Sequence, residues 1–235
     1  MLLLSLFLLI PGVYASSETL PDWFLPLRDA IYEQQLTADE IEPLYREISS
    51  RARFALSGAD LYIALSRCEY MMGRAYQYED RKNEAITRYD EGIKMAERAL
   101  EIKPSAEAWV MLAENISQSC VVRPVSYAMT NGLKVEKYAK NALALDSKNA
   151  AAKILIAVRW VYAPSPFNNY RKGIEMLSVI PNESNMEKDD MFNTNLAISY
   201  AHIQRKNSAE GRHWLQRALE LYPTNKFAQS LKNEL

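Results

Sequence analysis

The side chains able to do acid–base or metal chemistry are few and scattered. There are two histidines, His202 and His213, and two cysteines, Cys68 and Cys120. A zinc pair on a helix places its ligands one turn apart, at i and i+4. The histidines do not have that spacing, and both read as ordinary helix residues. Glu187, Asp189 and Asp190 form an acidic run. It lacks the oxygen-ligand spacing of a calcium loop, and its charges suit a helix N-terminus instead. No G-x-G-x-x-G, Walker or G-x-S-x-G pattern occurs. Nothing places a nucleophile beside a base and an orienting group. The sequence thus indicates no catalytic residue, metal site or cofactor, and a protein that is not an enzyme. What remains is recognition chemistry. The stretch WVYAPSPFNNYRKG, residues 160–173, gathers aromatics and prolines, and QSCVVRPVSYAMTN, residues 118–131, adds an arginine and a tyrosine. Arginine with aromatics is the composition that protein interfaces favour.

The elements that carry these residues are helical. Of 235 residues only 7 are glycine, 49% are hydrophobic and 24% charged, a globular balance with few hairpin residues. Net charge is −1, from 28 basic and 29 acidic residues spread along the chain. Phosphate backbones and anionic membranes need concentrated positive charge, so nucleic acid is not an expected partner. The opening MLLLSLFLLIPGVYA is apolar in nine of its first ten positions and ends in small residues, the pattern of a signal peptide cut after Ala15. It is shorter than the roughly 20 residues of a membrane span. No Lys or Arg precedes it, and a buried N-terminal helix is the competing reading. Export to a periplasm or beyond is the expectation, with no membrane span after cleavage.

Three segments align on one pattern: AERALEIKPS (96–105), AKNALALDSK (139–148) and LQRALELYPT (215–224), with EMLSVIPNES (175–184) a poorer copy aligned on its proline. Ala99, Ala142 and Ala218 are small where helices must approach, and Leu100, Leu143 and Leu219 follow on the buried side. Pro104, Ser147, Pro181 and Pro223 mark the helix ends, in steps of 43, 34 and 42 residues. Each is followed by another apolar-periodic helix, so the unit is a repeated helix–turn–helix, the signature of a solenoid. Met72-Gly73, Tyr76, Ala85 and Tyr89 carry a specific spacing. It resembles the tetratricopeptide repeat (TPR) family, whose units are helix pairs; HEAT-type repeats are the rival reading, and the A-L-x-L-x-P ending favours TPR. The irregular middle is similar to the regulator-of-microtubule-dynamics subset of that family. The expected fold is all-α: a right-handed TPR-like solenoid of about four helix pairs over residues 57–224. Capping helices are expected over 16–56, with a capping box at Thr37 and Glu40, and a final helix over 225–235 with Phe227 and Leu231 on one face.

The TPR resemblance implies a concave groove lined by the first helix of each pair. Carried over residue by residue, it places Arg67, Tyr70, Arg74 and Gln77, then Glu107, Val110, Glu114 and Ser117, in the groove's polar half. Ala151, Ile154, Val158, Val161, Met191, Thr194, Ile198 and Ala201 make an apolar half. The polar half either grips an extended peptide or closes on itself, Arg67 and Arg74 pairing with Glu107 and Glu114. A second candidate is the turn edge, where Arg123 and Tyr127 of a long second turn stand near Tyr162, Phe167 and Tyr170 of the third. These aromatics either dock a partner or plug gaps between helices. In this register Cys68 and Cys120 are offset by about 18 Å along parallel helices, beyond disulfide reach, so both thiols are expected to be unpaired. In a eukaryotic secretory route, Asn115 and Asn182 head N-x-S glycosylation sequences. The resemblance implies a non-catalytic scaffold that binds a protein or peptide partner in a complex, and the apolar leader adds the expectation that it is exported. The alternative is a periplasmic accessory protein for a solute or lipid, of the kind associated with TRAP-type transporters.

Overall fold

The structure, a computed structural model, describes residues 21–235. The apolar leader read over residues 1–15 lies outside the described residues. A 3-10 turn (Asp22–Phe24) leads into α1 (Leu25–Glu33) and α2 (Ala38–Ala55). Four pairs follow: α3 (Gly58–Tyr78) with α4 (Lys82–Ile102), α5 (Ala106–Val122) with α6 (Val125–Leu145), α7 (Ala150–Tyr162) with α8 (Tyr170–Glu183), and α9 (Lys188–Gln204) with α10 (Ser208–Leu221). α11 (Lys226–Leu231) and a last 3-10 turn (Lys232–Glu234) end the chain. Within each pair the helices pack on one another, and the first helices also stack in series, α3 on α5, α5 on α7 and α7 on α9. That is a TPR-like α-solenoid.

Small residues set the close approaches. Ala99, Ala142 and Ala218 have no exposed surface, and their leucine neighbours lie half-buried against the same core. Gly73 is where α4 presses Tyr89 into α3, and a Cβ there would strike the Tyr89 ring. At Gly92 the missing Cβ admits the Asn115 side chain. Asn115 Nδ2 donates to Met111 O at 2.8 Å and to Ser66 Oγ at 3.2 Å, and Ser66 Oγ donates to Gly92 O at 2.7 Å. One polar knot thus ties α3, α4 and α5.

Several elements differ from their sequence reading. Pro104, Ser147 and Pro223 do stand just past helix ends, but Pro181 lies inside α8, which continues to Glu183. A proline in the last turn removes one ladder bond without stopping the helix. The residue equivalent to Pro104 is therefore Asn185. There is no long second turn: only Arg123 and Pro124 separate α5 from α6. The polar residues that resembled a loop satisfy themselves within the helix, Thr130 Oγ1 on Ser126 O at 2.9 Å and Asn131 Nδ2 on Tyr127 O at 3.0 Å. In α11 it is Ala228 and Leu231 that are buried, while Phe227 is 43% exposed.

The N-terminal helices do two different things. α2, opened by the Thr37–Glu40 capping box, packs on α3 and covers the first pair. α1 leaves that end and crosses to the last pair. Phe24, Leu27, Ile31 and Tyr32 share one core with α3 residues such as Met71 and with Phe192, Leu215, Tyr222 and Leu231. Tyr32 stacks on Tyr222 at 5.0 Å and meets Phe192 edge-on at 5.6 Å. Asn225 Nδ2 donates to Tyr32 O at 2.8 Å, and Thr224 Oγ1 to Glu33 O at 2.7 Å. α1 is a strap joining the two ends of the array.

Candidate functional site

The strap decides the fate of the groove. Arg74 Nη1 donates to the hydroxyls of Tyr32 at 2.9 Å and Tyr70 at 3.3 Å, and its Nη2 donates to Tyr78 Oη. Its guanidinium also lies 4.6 Å from the Tyr32 ring centre. Burial pushes the Tyr32 and Tyr70 hydroxyls above their ordinary range, so both stay neutral acceptors for this arginine. Gln77 Oε1 accepts from Tyr89 Oη at 2.6 Å. Arg67 faces the Phe24 ring at 6.0 Å. The expected closure by Arg67 and Arg74 on Glu107 and Glu114 does not form: among the described residues neither arginine comes within 4.0 Å of a carboxylate. The two terminal nitrogens of Arg74 are satisfied by tyrosines that the strap and its own helix supply, while its Nε has no hydrogen-bond partner among the described residues.

Glu114 of α5 and Asp190 of α9 both feel the charge of Arg67. Burial pushes the Glu114 carboxyl up to about 7, partly offset by the Arg67 charge and reinforced by Asp189. Burial, with Asp189 beside it, also pushes Asp190 up, and Glu114 and Arg67 act on it in opposite senses. Asp190 Oδ2 accepts from Glu187 N at 3.2 Å, which makes it part of the α9 capping box, at the helix N-terminus the sequence suggested for this acidic run. Ser117 and Glu107 line the same side half-buried. Val110, Ile154, Val161, Thr194, Ile198 and Ala201 are buried, Ala151 and Val158 half-buried, and Met191 is exposed.

The turn-edge residues fall into two groups with separate partners. Arg123 Nη2 donates to both Asp90 oxygens, at 2.6 and 2.5 Å, and lies 4.8 Å from the Tyr127 ring centre. That group belongs to the α4–α5 side. Tyr162 packs on Tyr200 at 5.4 Å and Tyr170 on the same ring at 6.5 Å, which ties them to α9. Phe167 stands 70% exposed at the tip of the third turn. Asn169 caps α8 by accepting from Lys172 N, and Asn169 N donates to Trp160 O at 2.7 Å, closing the turn. Tyr162 and Tyr170 thus both pack against α9, Tyr162 with 47% of its surface exposed.

A surface that the sequence reading passed over lies next to Arg123. Val121 at the end of α5 and Val125, Met129 and Leu133 on α6 are 66, 71, 78 and 71% exposed. The last three are spaced i, i+4, i+8, so they form one ridge. Beside Leu133 is a shallow depression of about 450 Å³, lined also by Glu136, Lys137, Lys140 and Asn141. The i, i+4 spacing was present in the sequence, but the Arg-Pro-Val-Ser run hid it inside an apparent turn.

His202 contacts the Asn207 side chain at 3.4 Å and His213 packs on Trp214. No group of three or more His, Cys, Asp or Glu among the described residues is arranged to hold a metal ion. Cys68 and Cys120 are free, and burial raises both thiols above their ordinary range. No described helix is long and apolar enough to cross a membrane.

No protein-family model matches the chain. No curated protein matches it either. Among solved structures it is similar to one reported as "Crystal structure of YrrB: a TPR protein with an unusual peptide-binding site", with 15% identity, a TM-score of 0.42, and 88% of this chain and 97% of that chain covered.

Proposed function

We propose that the chain is a non-catalytic scaffold, exported from the cytosol, that docks a protein partner on the α5–α6 ridge. The observation that carries this is the ridge itself: Val121, Val125, Met129 and Leu133 leave a contiguous apolar strip in water, while the strap fills the polar end of the groove. Single exposed apolar residues are ordinary, but a contiguous strip marks an interaction surface. The chemistry of the partner follows from the rim. Among the described residues Lys134 and Lys137 have no carboxylate within 4.0 Å, and the one acid on α6, Glu136, is already shared by Lys140 and Arg159. A helix with an apolar stripe and acidic flanks complements that surface.

Crosslinking in native envelopes, followed by identification of captured proteins, tests this. A reproducible partner lost with Met129→Glu plus Leu133→Glu, and kept with Phe167→Ala, is the expected result. A partner that survives the ridge substitutions removes the ridge from the reading. Absence of any partner removes the scaffold.

A further inference from the structure

α1 meets the rest of the molecule as a ligand would. Phe24, Leu27, Arg28, Ile31 and Tyr32 follow at i, i+3, i+4, i+7 and i+8, the anchor spacing of a helix laid in a groove, and all five are buried. Trp23 is a further anchor, with the Arg51 guanidinium 5.5 Å from its ring centre. Tryptophan, tyrosine and arginine dominate binding between separate proteins. The buried residues of the other two large cores are instead all aliphatic or methionine. The polar contacts are also those of an interface. Arg28 Nε lies 3.0 Å from Asp29 Oδ1, and its Nη1 lies 3.5 and 3.8 Å from Glu187 and Asp189. Lys188 Nζ lies 3.7 Å from Asp29 Oδ2, and Tyr222 Oη donates to Asp29 Oδ1 at 2.9 Å. Opposite charges crossing between α1 and the start of α9 fix register and partner choice more than they add stability. Three features mark this contact as one that opens. α1 joins α2 through Gln34, Gln35 and Leu36 alone, and α2 has its own capping box and its own seat on α3. Gln34 sits at φ 55°, in the left-handed region that a non-glycine residue enters only at a cost. Orphan donors lie on both sides of the contact: among the described residues, buried Gln34 Nε2 and Arg74 Nε have no hydrogen-bond partner. Buried polar groups are normally satisfied, so the closed strap carries strain and unmade hydrogen bonds that its release removes.

We propose that α1 is an internal ligand, which holds its seat until a helix of another protein with the same pattern displaces it. That helix presents an aromatic, an aliphatic, an arginine, an aliphatic and a tyrosine at i, i+3, i+4, i+7 and i+8. The seat meets the arginine with Glu187 and Asp189, and the tyrosine ring with Phe192 and Tyr222. It meets the tyrosine hydroxyl with Arg74 and Asn193. α1 swings on Gln34–Leu36 while α2 stays on α3. A tethered helix competes at an effective concentration of about a millimolar, so a free copy of it binds the closed chain only weakly. The seat lies apart from the α5–α6 ridge and its test touches no ridge residue, so the two readings stand or fall independently.

A fluorescent synthetic peptide of residues 21–35 is the probe, read by anisotropy and by thermal melting of the full chain. Wild type should bind it with an apparent Kd no tighter than about a millimolar. Tyr32→Ala weakens the internal copy and leaves the seat intact, so this variant should bind at least tenfold tighter. The peptide should also raise the variant's melting midpoint toward that of wild type. A peptide carrying Arg28→Glu and Tyr32→Ala should do neither. A second chain covers a Tyr32→Ala variant that does not fold: a protease site inserted between Gln35 and Leu36 leaves the strap's own side chains unchanged. After cleavage the labelled peptide should exchange with the cut strap, and before cleavage it should not. The proposal is overturned if the peptide enters neither the variant nor the cut chain. It is equally overturned if wild type binds as tightly as they do, or if the doubly substituted peptide binds as well as the native one.

Discussion

Replacing Tyr32 tests whether α1 ties the ends of the array together. The ring is 1% exposed, stacked on Tyr222 at 5.0 Å and edge-on to Phe192 at 5.6 Å. Its hydroxyl accepts from Arg74 Nη1 and from Asn193 Nδ2, both at 2.9 Å. Truncating a buried aromatic to alanine costs about 3–5 kcal/mol. The hydroxyl contributes separately, because a hydrogen bond to a charged group is worth about 1.5–3 kcal/mol. Tyr32→Phe should therefore lose about 1.5–3 kcal/mol and Tyr32→Ala at least 3–5, with midpoint drops of roughly 3–12 °C and 6–20 °C. Urea and thermal melts by circular dichroism give the magnitudes. Hydrogen exchange gives the geometry: Tyr32→Ala should lower protection in α1, α3 and α9–α11 together, while α6 and α8 change little. If protection falls in α1 and α2 alone, the strap is only an N-terminal cap and the reasoning fails.

Four further outcomes follow from single contacts. Glu114 has its carboxyl raised to about 7 against an ordinary 4.5, so the folded chain holds a proton there that the unfolded chain releases. The stability this gives is full below about pH 4.5 and is lost as pH rises through about 7, so Glu114→Gln should flatten that decline and stabilise at pH 8 by about 1–3 kcal/mol in urea titrations. Gly73→Ala drives a methyl into the Tyr89 ring and should cost about 1–3 kcal/mol in the same assay. Thr37→Ala removes the acceptor of the α2 capping box and should cost about 1 kcal/mol, visible as early exchange of the Glu40 amide. Met129→Glu with Leu133→Glu touches only exposed groups, so the midpoint should stay within about 0.5 kcal/mol of wild type while partner capture is lost.

What was legible in the sequence was local. Ala99, Ala142 and Ala218 were read as close-approach residues, and Gly73 with Ala85 and Tyr89 as a packed pair, because each signal lies within one helix hairpin. Thr37 with Glu40 was legible as a capping box for the same reason. Pro181 misled because proline tells which donor is missing, and only the C-cap tells where a helix ends. The 118–131 segment misled because serine, threonine and asparagine were taken as loop formers, while here they bond the preceding turn of their own helix. The groove reading did not foresee the partners of its own arginine. Arg74 meets Tyr32 of another element 42 residues away, and Tyr32 meets Asn193 across 161 residues.

That last separation explains why the strap has no sequence signature. α1 has nine residues, fewer than the roughly 12–15 an isolated helix needs to persist in water. Its apolar residues repeat like those of any capping helix, and nothing in the pattern says which surface they cover. α1 is helical because it is docked, and its docking needs Tyr70 and Arg74 from the first pair together with Phe192, Tyr222 and Asn225 from the end of the chain. The groove is therefore closed by a contact that forms only once all four pairs have stacked to the right curvature. Unseating α1 by Tyr32→Ala should therefore loosen both ends of the array together.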